Sequence, residues 1–184
     1  MGKSVLLFAC VASSLLLSSL TNANPPSPYF GQESREIKAL SSEDVQAYLS
    51  GKGMGLAKAA ELNGYPGPLH VLALASELGL TEDQKQRTES IFRSMESEAM
   101  SLGRILVEEE HKLDQMFAEK IVTPKSLEQS LTRIGKLQTQ VRQAHLKTHL
   151  AQVEILSPAQ ISKYMMLRGY TGTPRTEGHA GHKH

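Results

Sequence analysis

The chain of 184 residues has one cysteine, no tryptophan and only 5% aromatic residues. So few aromatic side chains predict an aliphatic, thinly cored protein. With a single cysteine, Cys10, stability must come from packing instead of disulfides. Charge of either sign is also not in excess, because 20 basic residues face 19 acidic ones. This balance gives no support for a nucleic-acid partner.

The first residues are typical of a secretory signal peptide. Lys3 precedes an apolar stretch, and Ala23 supplies the small residue that a signal peptidase requires. We expect a signal peptide over residues 1–23, a periplasmic location and no membrane insertion after cleavage. Cleavage would remove Lys3 and Cys10, which leaves 19 basic and 19 acidic residues. A retained amphiphilic anchor is the alternative, and a lipoprotein is disfavoured because the apolar stretch before Cys10 is too short.

The remaining chain divides by composition into three parts. Residues 24–40 are rich in proline, serine and glycine, which predicts a flexible lead-in. Residues 41–170 carry helical signals and predict one helical domain. Residues 171–184 form a histidine-containing tail that we expect to be disordered.

Short helices are expected first in the helical domain. Capping and apolar signals predict two of them after Ser41, with a bend where Gly51, Gly53 and Gly55 interrupt the pattern. A third short helix is expected from Leu69 to Leu78, ended by the following glycine.

A long antiparallel helical hairpin is the main predicted feature. Apolar residues recur every seven positions in a first helix from Thr81 to about Lys120, in two rows: Phe92, Ala99, Leu106 and Leu113, and Met95, Leu102 and Met116. Glu109 interrupts the second row. Thr123 and Pro124 start a second helix that is expected to reach Ile155. The fold class is therefore all-α, with short helices flanking the hairpin. Such a slender hairpin leaves apolar surface open, so we expect a dimer.

One short motif occurs twice. Leu80, Thr81 and Gln84 share their spacing with Leu156, Ser157 and Gln160. Each copy predicts a capping box, in which the hydroxyl residue accepts from the backbone three positions on and the glutamine reaches back. A single capping box is common in helical proteins and carries no functional meaning.

Two copies flanking a long hairpin in an exported chain resemble the LTxxQ family of periplasmic proteins. This family includes Spy-like chaperones, CpxP-like stress modulators and, more distantly, heavy-metal resistance and sensing proteins of the ZraP and CnrX type. The resemblance covers residues 69–170, and the segments 64–70 and 167–170 also look like parts of uncharacterised members. Ser157 departs from the threonine of the motif, which capping chemistry tolerates.

The resemblance implies a dimeric cradle that holds unfolded envelope proteins without nucleotide, or an envelope-stress adaptor for a membrane sensor partner. The alternative is a heavy-metal protein that binds Zn, Cu or Ni. A purely structural envelope protein is a third possibility. No cofactor is required by the first reading, and a divalent metal is possible under the second.

Two groups of histidines are candidate metal ligands. His179, His182 and His184 lie close together in the tail, where imidazoles on a flexible strand can wrap Zn, Cu or Ni. His145 and His149 lie one helical turn apart, and the hairpin register puts them opposite Met95 and Glu98.

A site formed by His145, His149 and Glu98 is therefore one hypothesis. The favoured alternative is that both histidines are solvated, because their neighbours are basic and would repel a cation. His111 beside Glu108 could also support a metal, although acidic patches on long helices are usually solvated. His70 is expected to pack near a helix start.

Motifs of catalysis are missing. The stretch Gly51-Lys52-Gly53-Met54-Gly55 lacks the ending of a phosphate-binding loop and follows a helical pattern instead of a strand. The sequence contains neither a zinc-protease motif nor a nucleophile elbow. We therefore expect a protein that is not an enzyme.

Overall fold

The computed structural model describes residues 27–171, and every regular element in that range is a helix. The predicted all-α class is confirmed. The chain divides after Gly31, so that residues 27–31 belong to one unit and residues 32–171 to another. The predicted signal peptide and the tail histidines His179, His182 and His184 lie outside the described residues.

The helices of the second unit are five short ones and two long ones. Within the described range they are α1 (Ser42–Leu49), α2 (Lys58–Glu61), α3 (Pro68–Ala73), α4 (Ala75–Leu78), α5 (Glu82–Ala118), α6 (Pro124–Val153) and α7 (Pro158–Leu167). The long helices end within two residues of their expected limits. The helix expected over residues 69–78 is divided into α3 and α4, and Gly79 follows in the left-handed conformation. No helix among these seven is long and apolar enough to span a membrane.

The two long helices pack against each other in antiparallel directions. The carboxylate of Glu109 on α5 lies 3.0 Å from Arg133 on α6, and the carboxylate of Glu98 lies 2.5 Å from Lys147. Nearer the start of α5, the amide of Gln152 donates to the hydroxyl of Thr88. The contacting residues of α6 thus have lower numbers where those of α5 have higher numbers, as expected for antiparallel helices. At about 1.5 Å per residue, the 37 residues of α5 span roughly 55 Å.

Two of the three residues of the acidic patch on α5, Glu109 and Glu110, are buried, contrary to expectation, whereas Glu108 is exposed. Glu109 is only 4% exposed, and its carboxylate is held by Lys112 at 2.8 Å as well as by Arg133. Glu110 is also buried, and desolvation raises the pKa of its carboxyl. Its charge also reaches Tyr48, which places Glu110 near α1. The heptad pattern placed Glu109 in a row that faces α6, but it could not show that α1 lies near Glu110.

Helix α1 crosses α5 at Gly103. A Cβ atom on this glycine would lie only 2.2 Å from the carbonyl oxygen of Tyr48. The approach of the two backbones is therefore possible only because residue 103 has no side chain.

The lead-in differs from the predicted flexible segment over residues 32–40. Ile37 is 5% exposed, and both the backbone N–H and the ammonium of Lys38 donate to the carboxylate of Asp114, at 2.9 and 3.0 Å. The ion pair between Lys38 and Asp114 attaches this segment to α5. The prediction considered only the composition of the lead-in, and composition does not show that Ile37 is buried or that Lys38 pairs with Asp114.

A compact apolar cluster closes the end of the helix pair opposite the 119–123 turn. It consists of buried side chains from α3, α4, α7 and the two motifs: Val71, Leu78, Leu80, Leu156 and Tyr164. The apolar residue of each motif therefore lies in this core.

Candidate functional site

The two repeated motifs meet in space. Thr81 and Ser157 are the N-caps of α5 and α7, and each forms a reciprocal capping box with its glutamine. The side-chain amides of these glutamines also bond to each other. Gln84 donates to Gln160 at 2.9 Å, and Gln160 donates to Gln84 at 3.0 Å.

The remaining amide contacts explain why glutamine suits both positions. Gln84 donates a further hydrogen bond to the carbonyl of Ile155 at 2.9 Å, and Gln160 reaches the carbonyl of Leu78 at 3.4 Å. A carboxylate could accept in the capping box but could not donate to these carbonyls. The paired motif is a structural tie between the starts of two helices.

A cavity of about 530 Å³ lies between the loop-rich segment 50–70 and the two long helices. Its apolar lining comes from both sides and includes Met54, Leu62, Leu69, Phe92 and Met95. Three histidines contribute the polar lining, together with a few charged residues: His70, His145, His149, Lys52, Lys58, Glu61 and Glu96. This size and a mainly apolar lining with few polar groups are typical of binding sites.

Glycines bring the loop backbone close to the imidazoles of α6. A Cβ atom on Gly67 would lie 2.9 Å from Cε1 of His149, and one on Gly53 would lie 3.9 Å from Nδ1 of His145. A side chain at position 67 would therefore displace the ring of His149. Glycine at position 67 therefore leaves space for the imidazole of His149 beside the cavity.

The two imidazoles are buried, in contrast to the favoured expectation that they are solvated. His145 is 5% exposed and His149 is 8% exposed. The neighbours that suggested solvation, Arg142 and Gln143, are exposed on the outer side of α6. Gln143 and Lys147 misled here because residues two positions away on a helix point in another direction, and both are exposed.

The hydrogen bonds of these two rings differ. Nδ1 of His149 lies 2.7 Å from the carbonyl oxygen of Tyr65, which can only accept, so this nitrogen donates the hydrogen bond. The same nitrogen lies 3.9 Å from a carboxylate oxygen of Glu61. Nε2 of His145 is buried and has no hydrogen-bond partner among residues 27–171. Burial, with a smaller contribution from His149, lowers the pKa of His145 below 6.5. The cavity wall therefore carries one oriented and one unpartnered imidazole.

Glu61 anchors the closing segment of the chain to the cavity. Its carboxylate accepts from the hydroxyls of Tyr164 at 2.5 Å and Tyr170 at 3.2 Å, and lies 3.4 Å from Nε of Arg168. The backbone N–H of Gly67 donates to its other oxygen at 3.1 Å. Desolvation, followed by the hydrogen bond to Glu61, raises the pKa of Tyr164, so this hydroxyl remains protonated. The network fixes α7 to the loop that frames the cavity.

The structure does not bring the hypothetical trio of His145, His149 and Glu98 together. Glu98 lies on another side of α5, where its carboxylate pairs with Lys147 and lines a separate polar groove. No group of three or more histidine or acidic side chains suited to a metal exists within the described range. Met95, the other residue expected opposite the histidines, lines the cavity with both of them.

The other histidines occupy different surroundings. His111 lies 3.5 Å from Glu36 of the lead-in, and Glu108 is exposed. His70 lines the cavity, and burial lowers its pKa, with a smaller contribution from Arg168.

Sequence reasoning missed Glu61 and its partners as part of the site. The segments 64–70 and 167–170 were noted only for their resemblance to segments of uncharacterised LTxxQ proteins. They meet at Glu61, which no local pattern connects to them. A comparison with protein-family models finds none that matches the chain, and comparisons with curated proteins and with solved structures also find no match.

Proposed function

We propose that this chain is an exported, ATP-independent binding protein of the Spy and CpxP type that holds apolar segments of unfolded envelope proteins. A membrane sensor partner would offer the same kind of segment to a stress adaptor. The proposal assigns no catalysis to the chain. The observation that supports it is the apolar cavity of about 530 Å³ between the loop segment and the long helices.

The exposure of the cavity rim supports a polypeptide as the occupant. Leu69 is 56% exposed, Leu62 is 54% exposed and Met54 is 41% exposed, although all three line the cavity. Apolar side chains that are grouped and open to solvent are typical of interaction sites. The exposed Lys52 and Lys58 lie beside them. A mixed apolar and basic rim suits unfolded segments, which combine apolar side chains with charges.

The experiment is suppression of the aggregation of a chemically denatured model protein, measured by light scattering in the presence of a metal chelator. Leu69→Glu places a charge on the rim and should weaken the suppression. Leu131→Glu is the matched control, since Leu131 is 52% exposed on α6 and does not line the cavity. The proposal fails if the unmodified protein does not delay aggregation, or if the two variants behave alike.

Metal binding is a second candidate function, supported by the two buried imidazoles on one cavity wall. Zn, Cu or Ni could be collected by these rings or by His179, His182 and His184 of the tail. Calorimetric titration of the three metals into the protein with and without substitutions of the tail histidines separates the two sources. Binding that disappears with the tail substitutions would exclude the cavity.

A further inference from the structure

The rim and the α5 wall of the cavity differ in exposure. Leu62 and Leu69 are more than half exposed at the rim, whereas Met95 on α5 is only 8% exposed. Phe92, three residues before Met95, is half-buried and lines the same wall. A molecule in the cavity would therefore extend from solvent at the rim to buried apolar side chains on α5. A ligand with one polar end and one apolar end fits this arrangement.

Two lysines place positive charge at the rim. Lys52 and Lys58 both line the cavity and are exposed. Within residues 27–171, neither ammonium group forms an ion pair or a hydrogen bond. The Cε atom of Lys58 lies 4.0 Å from the position that a Cβ atom would take on Gly55, so this side chain lies along the loop that borders the cavity. Both ammonium groups are therefore available to an anion at the rim.

The two carboxylates that line the cavity have arginines beside them. Glu61 lies 3.4 Å from Nε of Arg168. Glu96 also borders a separate groove, which it shares with Arg93 and Arg104. Arg104 forms no ion pair in the part of the chain that the structure describes. Because Arg168 and Arg104 offset the two carboxylates, the positive charge of the rim lysines remains.

The pKa of two histidines agrees with this balance of charge. Burial lowers the pKa of His70, and the further lowering by Arg168 exceeds the opposite effect of Glu61. Burial, with a smaller effect of His149, lowers the pKa of His145. Positive charge is therefore disfavoured at both rings, which favours an anionic ligand over a cationic one.

We propose that the cavity binds a free medium-chain fatty acid, with its alkyl chain along the α5 wall and its carboxylate at Lys52 and Lys58. The volume of about 530 Å³ is typical of small-molecule sites. Methionine side chains, such as that of Met95, adapt to a flexible chain. Burial of the chain supplies the affinity, about fourfold per methylene group, and the lysines select the sign of the head group.

This inference goes beyond client holding, because it assigns a small ligand to the cavity. The two are measured separately. Suppression of aggregation is assayed without an amphiphile, and fatty-acid binding is assayed without a client. Either one can fail while the other holds.

The first test compares three amphiphiles that share a ten-carbon chain and differ in head-group charge. Sodium decanoate, 1-decanol and decyltrimethylammonium are titrated calorimetrically into the protein, each below its critical micelle concentration. We expect one decanoate per chain, bound at least about threefold more tightly than decanol, since exposed ion pairs have modest energies. Decyltrimethylammonium should bind most weakly. Absence of decanoate binding would overturn the site, and equal affinities would overturn the choice of an anion.

The second test reverses the charge of the rim. Lys52→Glu combined with Lys58→Glu should make decyltrimethylammonium bind more tightly than decanoate. Lys136→Glu combined with Lys163→Glu is the control, because these lysines are exposed and outside the cavity and the change in net charge is the same. The control should keep the order of the unmodified protein. The same order in both double variants would overturn the placement of the carboxylate.

The third test locates the ligand in the unmodified protein and needs no substitution. The methyl resonances of Met54 and Met95, which line the cavity, should shift when decanoate is added. That of Met116, close to the 119–123 turn, should stay in place. Binding that leaves the resonances of Met54 and Met95 unshifted would exclude the cavity.

Discussion

The crossing of α1 over α5 makes Gly103→Ala the most informative stability variant. An alanine Cβ at position 103 would lie 2.2 Å from the carbonyl oxygen, 2.8 Å from the carbonyl carbon and 3.2 Å from the Cα of Tyr48. All three are backbone atoms, so no side-chain rotation relieves the clash. The two helices must separate, or α1 must leave the surface of α5.

Two opposing effects set the magnitude. Alanine is better than glycine inside a helix by about 1 kcal/mol, which favours the variant. Overpacking costs about 1–3 kcal/mol in ordinary cores, and here the obstacle is rigid backbone, so the upper part of that range applies. We expect G103A to lower the free energy of unfolding by about 1–2 kcal/mol after the helix gain is subtracted.

Gly135→Ala is the matched control. Gly135 lies inside α6, and a Cβ atom there would meet nothing within 4 Å. Only the helix effect remains, so this variant should raise the free energy of unfolding by about 0.5–1 kcal/mol. The two alanine substitutions are chemically identical, and they should change stability in opposite directions.

Urea denaturation followed by circular dichroism measures both variants, and amide hydrogen exchange locates the change. In G103A the amides of α1 should lose protection, while those of α6 keep theirs. If G103A proved as stable as G135A, with α1 still protected, the close approach of the two backbones would be refuted.

Three further predictions concern the motif pair, the buried imidazole and assembly. Gln84→Glu keeps the capping box but removes the donor to Gln160 and Ile155, and should lower the free energy of unfolding by about 1–3 kcal/mol in urea denaturation. The control Gln138→Glu, at an exposed position, should change it little. Equal effects of the two substitutions would contradict the structural role of the paired glutamines. Burial, and secondarily His149, lowers the pKa of His145 below 6.5, so the folded form resists its protonation. Stability should therefore be full above pH 6.5 and fall as the pH drops through the lowered pKa. The urea midpoint should show this loss, His145→Gln should reduce it, and an equal loss in His145→Gln would contradict the assignment to His145. The protein should elute as a dimer at micromolar concentration in light-scattering chromatography, and a monomer there would exclude the expected assembly.

The long helices could be predicted because their signals are local. Thr81, Thr123 and Ser157 cap helices through residues only three positions away, and Pro124 occupies a favoured first position. The division between α3 and α4 carried no such signal, because Leu74 ends one helix and begins the next without a glycine or proline.

The cavity could be predicted only in part. The spacing of His145 and His149 identified the pair, and the hairpin register placed Met95 opposite to it. The register alone could not choose between Met95 and Glu98, which lie three residues apart on neighbouring faces of α5. That choice and the role of Glu61 both depend on where the segment 50–70 folds back onto the long helices. Long-range contacts position this segment, such as the hydrogen bond between Glu61 and Tyr164, which are 103 residues apart.

The reciprocal amide bond of Gln84 and Gln160 has a consequence for the time course of folding. Residues near the 119–123 turn, such as Glu109 and Arg133, are 24 positions apart, whereas the two glutamines are 76 apart. Closing the longer loop costs about 1 kcal/mol more entropy, so pairing should begin at the turn and proceed toward the opposite end. The cavity lies near that opposite end. A newly folding chain would therefore complete the cavity last, after most of the contact between α5 and α6 has formed.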